Sequence, residues 1–189
     1  MFSVLFLFFL CFAPFHAAHA CTLFVSEFGS DVVNCGSSLP QACLTIHNSN
    51  NDTQCSFAVF GHVQVLNWTA RISIFGISEN ASVSISNNDT LLQSCSLTDV
   101  TVFSENAVFR VDGAGGPDDV FVLNNSTVFF RGLFLDNVAN VTITGSRLFG
   151  NTSQNAGFQM TNVTGSVRNT LFQGFHESIC LFYVTIAFV

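Results

Sequence analysis

Short runs of alternating apolar and polar residues fill the chain from Val63 onward. Val83 and Ile85 alternate with serines, and Val141 and Ile143 alternate with threonines, which is the period-two pattern of half-buried strands. Glycine or asparagine punctuates nearly every run, and no stretch keeps the apolar spacing of an amphipathic helix. The pattern predicts an all-β body made of short strands joined by turns.

The runs also recur along the chain, at a drifting spacing of 21 to 23 residues. A period of this size, built from strands and turns, is typical of a β-solenoid. We therefore predict a right-handed parallel β-helix, with a β-sandwich as the alternative because 23 phenylalanines would fill either core. The repeats that set the period are Asn140-Val141-Thr142 with Asn162-Val163-Thr164, Leu148-Phe149 with Leu171-Phe172, and Phe109-Arg110 with Phe130-Arg131.

The first 20 residues have the features of a secretory signal peptide. Their apolar run of about fourteen residues is shorter than the roughly 20 that span a bilayer as a helix, and an A-x-A cleavage pattern ends at Ala20. Cleavage between Ala20 and Cys21 would leave 169 of the 189 residues, enough for one domain with a sizeable core. The alternatives are a retained anchor and a lipoprotein acylated at Cys21. We predict a protein that is secreted or displayed on the outer face of the cell, without a membrane span in its mature chain.

Six cysteines follow the predicted cleavage site, and an even number behind a signal peptide indicates disulfides. Six cysteines allow 15 pairings, among which the sequence does not choose. Four of them fall between Cys21 and Cys55, so we expect a disulfide-bonded N-terminal region. The spacings contain no pair of the kind that binds zinc, and no metal site is predicted. The predicted disulfide cysteines are Cys21, Cys35, Cys43, Cys55, Cys95 and Cys180.

Charged residues make up only 9% of the chain, the net charge is −7, and lysine is absent. Without a basic stripe, binding to nucleic acid or to anionic lipid is not expected. Glycans on N-x-S/T sequons would supply the missing polar surface. Alternatively, turn asparagines followed by strand threonines produce such sequons without any glycan. The sequons begin at Asn51, Asn67, Asn80, Asn88, Asn124, Asn125, Asn140, Asn151 and Asn162.

The segment CTLFVSEFGSDVVNCGSSLPQACLTI contains a compact motif. Its distinctive residues are Val25-Ser26, Gly29-Ser30-Asp31, Cys35-Gly36, Pro40, Cys43, Thr45 and Ile46. The segment resembles the N-terminal cap of secreted, pectin-lyase-like parallel β-helix proteins, whose repeats are similar to those of polymorphic outer membrane proteins. Downstream, Gly61 with HVQVL and then ARISIFG resembles the first coils. After the signal peptide at 1–20, the resemblance implies a cap at 21–62 and β-helix coils at 63–189.

Many β-helix proteins cleave acidic polysaccharides, so the acidic residues are candidates for catalysis. A lyase would need clustered carboxylates and a basic residue, and a hydrolase would need two carboxylates facing each other across the bond. The residues of GAGGPDD also suit a solvated turn, no lysine exists to act as a base, and His176-Glu177 lacks the second histidine of a zinc-protease motif. We therefore predict no catalytic residue and no cofactor. The residues that such an activity would use are Asp112, Asp118, Asp119, Asp136, Arg131 and Arg147.

Three functions stay open at this stage. The first is a non-enzymatic adhesion-like or structural protein, whose partner would be a cell-surface glycan or protein. The second is a polysaccharide lyase or hydrolase. The third is a truncated piece of a larger surface protein, because the closing ICLFYVTIAFV offers no polar outer face to cap a solenoid.

Overall fold

The computed structural model describes residues 21–47, 55–67, 71–85, 89–151, 157–175 and 180–188. A short 3-10 helix at Leu39–Gln41 lies in the N-terminal region, and the other regular elements of this part of the chain are strands. The strands are β1 Thr22–Ser26, β2 Thr45–His47, β3 Ser56–Phe60, β4 His62–Asn67, β5 Arg71–Gly76, β6 Ser82–Ile85, β7 Asp89–Leu92, β8 Ser94–Thr98, β9 Thr101–Asp112, β10 Val120–Asn124, β11 Thr127–Asp136, β12 Asn140–Thr144, β13 Arg147–Gly150, β14 Gly157–Arg168, β15 Leu171–Gln173 and β16 Cys180–Phe188.

The strands stack into three faces of a β-solenoid, and every pairing between the described strands is parallel. Face A consists of β1, β3, β5, β8, β10, β12 and the second halves of β14 and β16. Face B consists of β2, β4, β6, the first halves of β9 and β11, then β13 and β15. Face C consists of β7, the second halves of β9 and β11, and the first halves of β14 and β16. The predicted parallel β-helix is confirmed, and the antiparallel β-sandwich is wrong.

Inward side chains form ladders, since the same strand position recurs on each rung. On face B the ladder runs from Val63 through Val83, Val102 and Val128 to Leu148, and all five are buried. Burial of each such side chain contributes about 1.5–3 kcal/mol, and β-branched residues fit the pleated surface without rotamer strain. The period-two pattern of the sequence therefore corresponds to inward and outward positions on each rung.

Asparagine and aspartate occupy the corners of the solenoid in left-handed backbone conformations. Asp99 and Asn125 follow face A on successive rungs, with φ of 53° and 48°, and the Asn125 side-chain amide donates to the Asp99 carboxylate at 2.6 Å. At the corner between faces C and A, the amide of Asn162 donates to the side-chain oxygen of Asn137 at 3.0 Å. Asn and Asp tolerate this backbone region better than other non-glycine residues. The asparagine punctuation of the sequence thus marks the corners.

The predicted disulfide-bonded N-terminal region is confirmed. Its two disulfides, which the sequence did not choose among the possible pairings, join Cys21 with Cys55 and Cys35 with Cys43. The expectation that all six cysteines are paired is wrong at Cys95, which is a free thiol. Cys95 occupies an inward position of β8, between Ile72 and Phe121 of the adjacent rungs, where it is fully buried among apolar side chains. The side chain of Cys180, the remaining predicted partner, lies outside the described residues.

The sequence repeats do not give the register of the coils. Leu148 pairs with Phe172 and not with Leu171, and Phe109 pairs with Leu133 and not with Phe130. Successive rungs are separated by different numbers of residues because the turns vary in length. Cys95 and its partner Phe121 are 26 residues apart, for example, because the turn at 113–119 intervenes.

We expect the Cys95 thiol to be unreactive while the protein is folded. Complete burial raises the pKa of this thiol, and only the thiolate attacks electrophiles. Exchange through global unfolding, at a stability of about 5 kcal/mol, would slow alkylation by more than about 10³-fold relative to the unfolded chain. Mass spectrometry of the Cys95 peptide after iodoacetamide treatment, with and without guanidinium, measures this ratio. Equal labelling in both conditions would contradict the inward placement of Cys95.

Candidate functional site

The acidic candidate Asp119 organises the turn that precedes β10. It is 4% exposed, and one of its oxygens accepts hydrogen bonds from the backbone N–H groups of Ala114 and Gly116 at 2.7 and 2.9 Å. Its other oxygen lies 3.6 Å from a guanidinium nitrogen of Arg71 on β5. These partners account for both oxygens of the carboxylate, so the geometry gives Asp119 a structural role in the turn. The neighbouring Asp118 is exposed.

The structure brings two other acidic candidates together. Asp112 and Asp136 are register partners at the ends of the adjacent rungs β9 and β11 on face C. Arg110 and Phe134 are the register partners two residues earlier on the same two strands. The guanidinium of Arg110 lies 5.4 Å from the ring centroid of Phe134, as a cation–π contact. The two carboxylates stand side by side on one flat face, about 4.8 Å apart in their backbones. A glycoside hydrolase would instead need them on opposite sides of a bound sugar.

The arginines weighed with these acids lie elsewhere. Arg147 projects outward from β13 on face B, and Arg131 lies at the register shift where β11 turns from face B to face C. A carboxylate of face C and Arg147 of face B therefore belong to different surfaces of the solenoid. Among the side chains that the structure describes, the acidic candidates and the arginines do not converge on one groove.

Removal of the Asp119 carboxylate is expected to destabilise the protein. Asp119→Ala leaves the backbone N–H groups of Ala114 and Gly116 without their acceptor. A hydrogen bond to a charged group contributes about 1.5–3 kcal/mol, so we expect a loss of about 2–3 kcal/mol. Guanidinium denaturation measures the free energy of unfolding. The matched control is Asp118→Ala at the exposed neighbouring position, which should change stability by less than about 0.5 kcal/mol. Equal effects of the two substitutions would show that Asp119 does not hold the turn.

A row of stacked phenylalanines runs along the outside of face B. Phe103, Phe129 and Phe149 occupy the same outward position on the successive rungs β9, β11 and β13. The ring centroids are 5.3 and 4.9 Å apart, and the ring planes differ by only 6° and 14°. Phe103 is 38% exposed and the other two rings are half-buried. We call these three residues the Phe strip.

Polar side chains lie at both ends of the Phe strip and along its side. At the N-terminal end, the His62 ring lies 6.3 Å from that of Phe103, and its two nitrogens lie 2.9 and 3.1 Å from the hydroxyl oxygens of Ser82 and Ser84. Beside the strip, Arg147 continues an outward row that contains threonines on β9 and β11. The strip is therefore an apolar band that is bordered by a histidine, serines, threonines and one arginine.

The sequence patterns did not identify the Phe strip. In TVFS and TVFF a valine and a phenylalanine are adjacent, so either apolar residue satisfies a period-two pattern. In the structure, a buried serine lies two residues from each of these valines, and residues two apart on a strand share one side. Ser104, on the inner side of β9, follows Val102, and Ser126, in the turn, precedes Val128. Those serines place Val102 and Val128 inside, and Phe103 and Phe129 outside.

Two further recesses lie near the N-terminus and on face A. An open recess of about 690 Å³ on the cap is bordered by the exposed apolar residues Phe28, Val32 and Val33. A shallower groove of about 370 Å³ runs beside Arg71 under the turn at 113–119. The cap also brings Asp31 within 4.8 Å of the sulfurs of Cys35 and Cys43. These sulfurs form a disulfide, and Asp31 accepts hydrogen bonds from Leu44 and Thr45, so this trio is not a metal site.

The exposed sequon asparagines lie on face A or in the turns beside it. Asn51 and Asn88 lie outside the described residues, as does the side chain of Asn67; Asn151 is half-buried just after β13. The amides of Asn125 and Asn162 donate to corner residues, whereas Asn80, Asn124 and Asn140 have no such corner bond in the part of the chain described. The exposed set is Asn80, Asn124, Asn125, Asn140 and Asn162.

Within the described ranges, no helix is long and apolar enough to cross a membrane. No family model, no curated protein and no solved structure matches the chain. The strand pairing and the cysteine geometry alone support the parallel β-solenoid and its two N-terminal disulfides. The likeness of the cap to pectin-lyase-like proteins stays a prediction. This chain is a parallel β-solenoid protein with a disulfide-bonded N-terminal region.

Proposed function

We propose that the chain is a secreted, non-enzymatic protein that acts by binding, in an adhesion-like role, through the outside of face B. The Phe strip is the observation that supports this function. Three large apolar rings stack on the outside of a flat sheet, where they add nothing to the inward ladders of the solenoid. Exposed apolar bands bordered by polar residues are typical of interaction surfaces.

Secretion and glycosylation belong to the same proposal. The two disulfides fit an oxidising compartment, and the predicted signal peptide at 1–20 would deliver the chain there. Glycans on the exposed sequons of face A would supply the polar surface that a chain with 9% charged residues lacks. The rigid stack of parallel strands would then serve as a scaffold whose exposed sequons lie on one face, while two further sequons, Asn67 at the end of β4 and Asn151 just after β13, border face B.

Cleavage of an acidic polysaccharide is the second candidate function, and the pairing of Asp112 with Asp136 is the observation that favours it. Two neighbouring carboxylates can bind a cation, and a cation would offset the repulsion between this anionic protein and a polyuronate. The basic residue nearest the pair along the strand is Arg110, and its guanidinium lies over the Phe134 ring. We therefore place catalysis second.

Adhesion and cleavage can be measured on the same preparation. Beads coated with the mature, glycosylated protein are expected to bind cells of the source organism, and beads coated with Phe129→Ser should lose at least about tenfold in bound number. The matched control is Val122→Ser, which removes an outward apolar residue from β10 on face A. The same protein should release no reducing ends or unsaturated uronates from uronic-acid and neutral polysaccharides. Product formation without bead binding would overturn the proposal.

A further inference from the structure

The outward side chains of face B differ in charge from the protein as a whole. The chain carries a net charge of −7, yet the described outward positions of β4, β6, β9, β11, β13 and β15 on this face include no carboxylate; the side chain of Glu105 lies outside the described residues. On the first strand of the face, β2, the Asp31 carboxylate accepts hydrogen bonds from Thr45, five rungs away from Arg147. Arg147 projects from the same face and is exposed, and no ion pair to it occurs among the described residues. Glu79 and Asp99 lie in the preceding turns, where Asp99 accepts the Asn125 amide. The part of face B around Arg147 therefore favours a partner with negative charge.

The Phe strip has the same electrostatic preference. Because its rings are nearly parallel and their centroids are about one strand spacing apart, each ring covers part of its neighbour's face. The ring edges, which carry the positive part of the aromatic quadrupole, are left toward the solvent. A sugar stacks on a ring face, whereas a carboxylate or a backbone carbonyl favours a ring edge. This arrangement favours a peptide over a glycan.

The dimensions of face B limit the size of the partner. Across the strands, the six rungs from β4 to β15 span about 24 Å. Along each strand, four residues span about 13 Å, so the face has an area of roughly 300 Å². A stable complex of two globular proteins buries about 800 Å² on each side, so a second copy of this chain would find too little area here. An extended peptide of about seven residues has the length of the face.

We propose that face B binds an extended acidic peptide segment of a partner protein, with its apolar side chains along the Phe strip and a carboxylate at Arg147. This inference rests on the proposed binding function and names the chemistry of its partner. Glycans on the exposed sequons of face A would leave the Phe strip open, and glycans on Asn67 or Asn151 would lie at the ends of the face B strands β4 and β13.

Fluorescence polarisation with defined probes tests the inference on the mature, glycosylated protein. The probes are a labelled eight-residue peptide of alternating leucine and glutamate, its leucine–lysine counterpart, and an oligogalacturonate. Phe129→Ser and Arg147→Glu should each weaken the leucine–glutamate complex by at least tenfold. The matched controls on face A are Val122→Ser and Arg168→Glu, which should leave its affinity within twofold.

The leucine–lysine peptide is expected to bind at least tenfold more weakly than the acidic one. Preference for the lysine peptide, or equal weakening by the face A variants, would overturn the inference. Binding of oligogalacturonate alone, weakened by Arg147→Glu, would assign the face to an acidic glycan and overturn the peptide. If no peptide binds while beads still adhere to cells through Phe129, the inference fails and the proposed function stands. If neither peptide binding nor Phe129-dependent adhesion of the beads is observed, the inference and the proposed function both fail.

Discussion

Phe130→Ala is expected to lower the free energy of unfolding by about 3–5 kcal/mol, because the substitution opens a cavity in a packed core. Phe130 is 1% exposed on the inner side of β11. Its ring centroid lies 5.6 Å from that of Phe175, so the variant also loses an aromatic contact. Guanidinium denaturation followed by circular dichroism measures the loss. If the variant is secreted in too small an amount, Phe130→Leu should still show a loss of about 1–1.5 kcal/mol.

The adjacent residue provides the control for this prediction. Phe129→Ala removes the same number of atoms from the outer side of the same strand, where the ring stacks on two neighbours and is half-buried. Loss of two stacking contacts should cost about 1–2 kcal/mol, clearly less than the inward substitution. The reverse order would mean that β11 is displaced by one residue, since a one-residue shift exchanges the two faces of a strand.

Replacement of Cys21 and Cys55 together by alanine is the second large effect, with an expected loss of about 3–4 kcal/mol. The bridge joins residues 34 positions apart, and the entropy that a cross-link removes from the unfolded chain grows with the length of the closed loop. Cys35→Ala with Cys43→Ala opens a bridge of separation 8, for which the same relation gives about 2.5 kcal/mol. Chemical denaturation of both double variants measures the difference.

The outcome also tests where the cap is fastened. The Cys21–Cys55 bridge connects the start of β1 to the start of β3, two rungs that are register partners on face A. A larger loss for the shorter bridge would indicate that the interior of the cap, and not its attachment to the first coil, limits stability. If peptide mapping finds Cys95 bonded to one of these four cysteines, the predicted losses for both double variants are contradicted.

The sequence predicts the class of the fold because its evidence is local. Val83 and Ile85 point inward from β6, as their alternation with serines indicates. Asn125 and Asn137 mark corners because few other residues adopt their backbone conformation at low cost. Four nearby cysteines identify the fastened region. Each of these features depends on a few consecutive residues, so it can be read without knowledge of the rest of the fold.

The register and the candidate site depend on residues that are far apart in the sequence. Repeats at 21 to 23 residues place Leu148 beside Leu171, whereas the structure pairs it with Phe172. A shift of one residue exchanges inside and outside, so an approximate period does not reveal which phenylalanines face the solvent. Phe103 and Phe129 form a surface feature only because two turns of different length bring them into register. The sequence predicts a disulfide at Cys95 for the same reason, because the core residues that surround this thiol come from other coils.

A comparison of two variants in one cell-binding assay tests most directly whether the Phe strip or the carboxylate pair carries the function. The first variant is Phe129→Ser, and the second is Asp112→Asn combined with Asp136→Asn. We expect beads with the first variant to lose at least about tenfold in binding to cells, and beads with the second to bind like the unaltered protein. Unchanged binding by Phe129→Ser, together with polysaccharide cleavage that disappears in the double aspartate variant, would contradict a binding role and identify an enzyme.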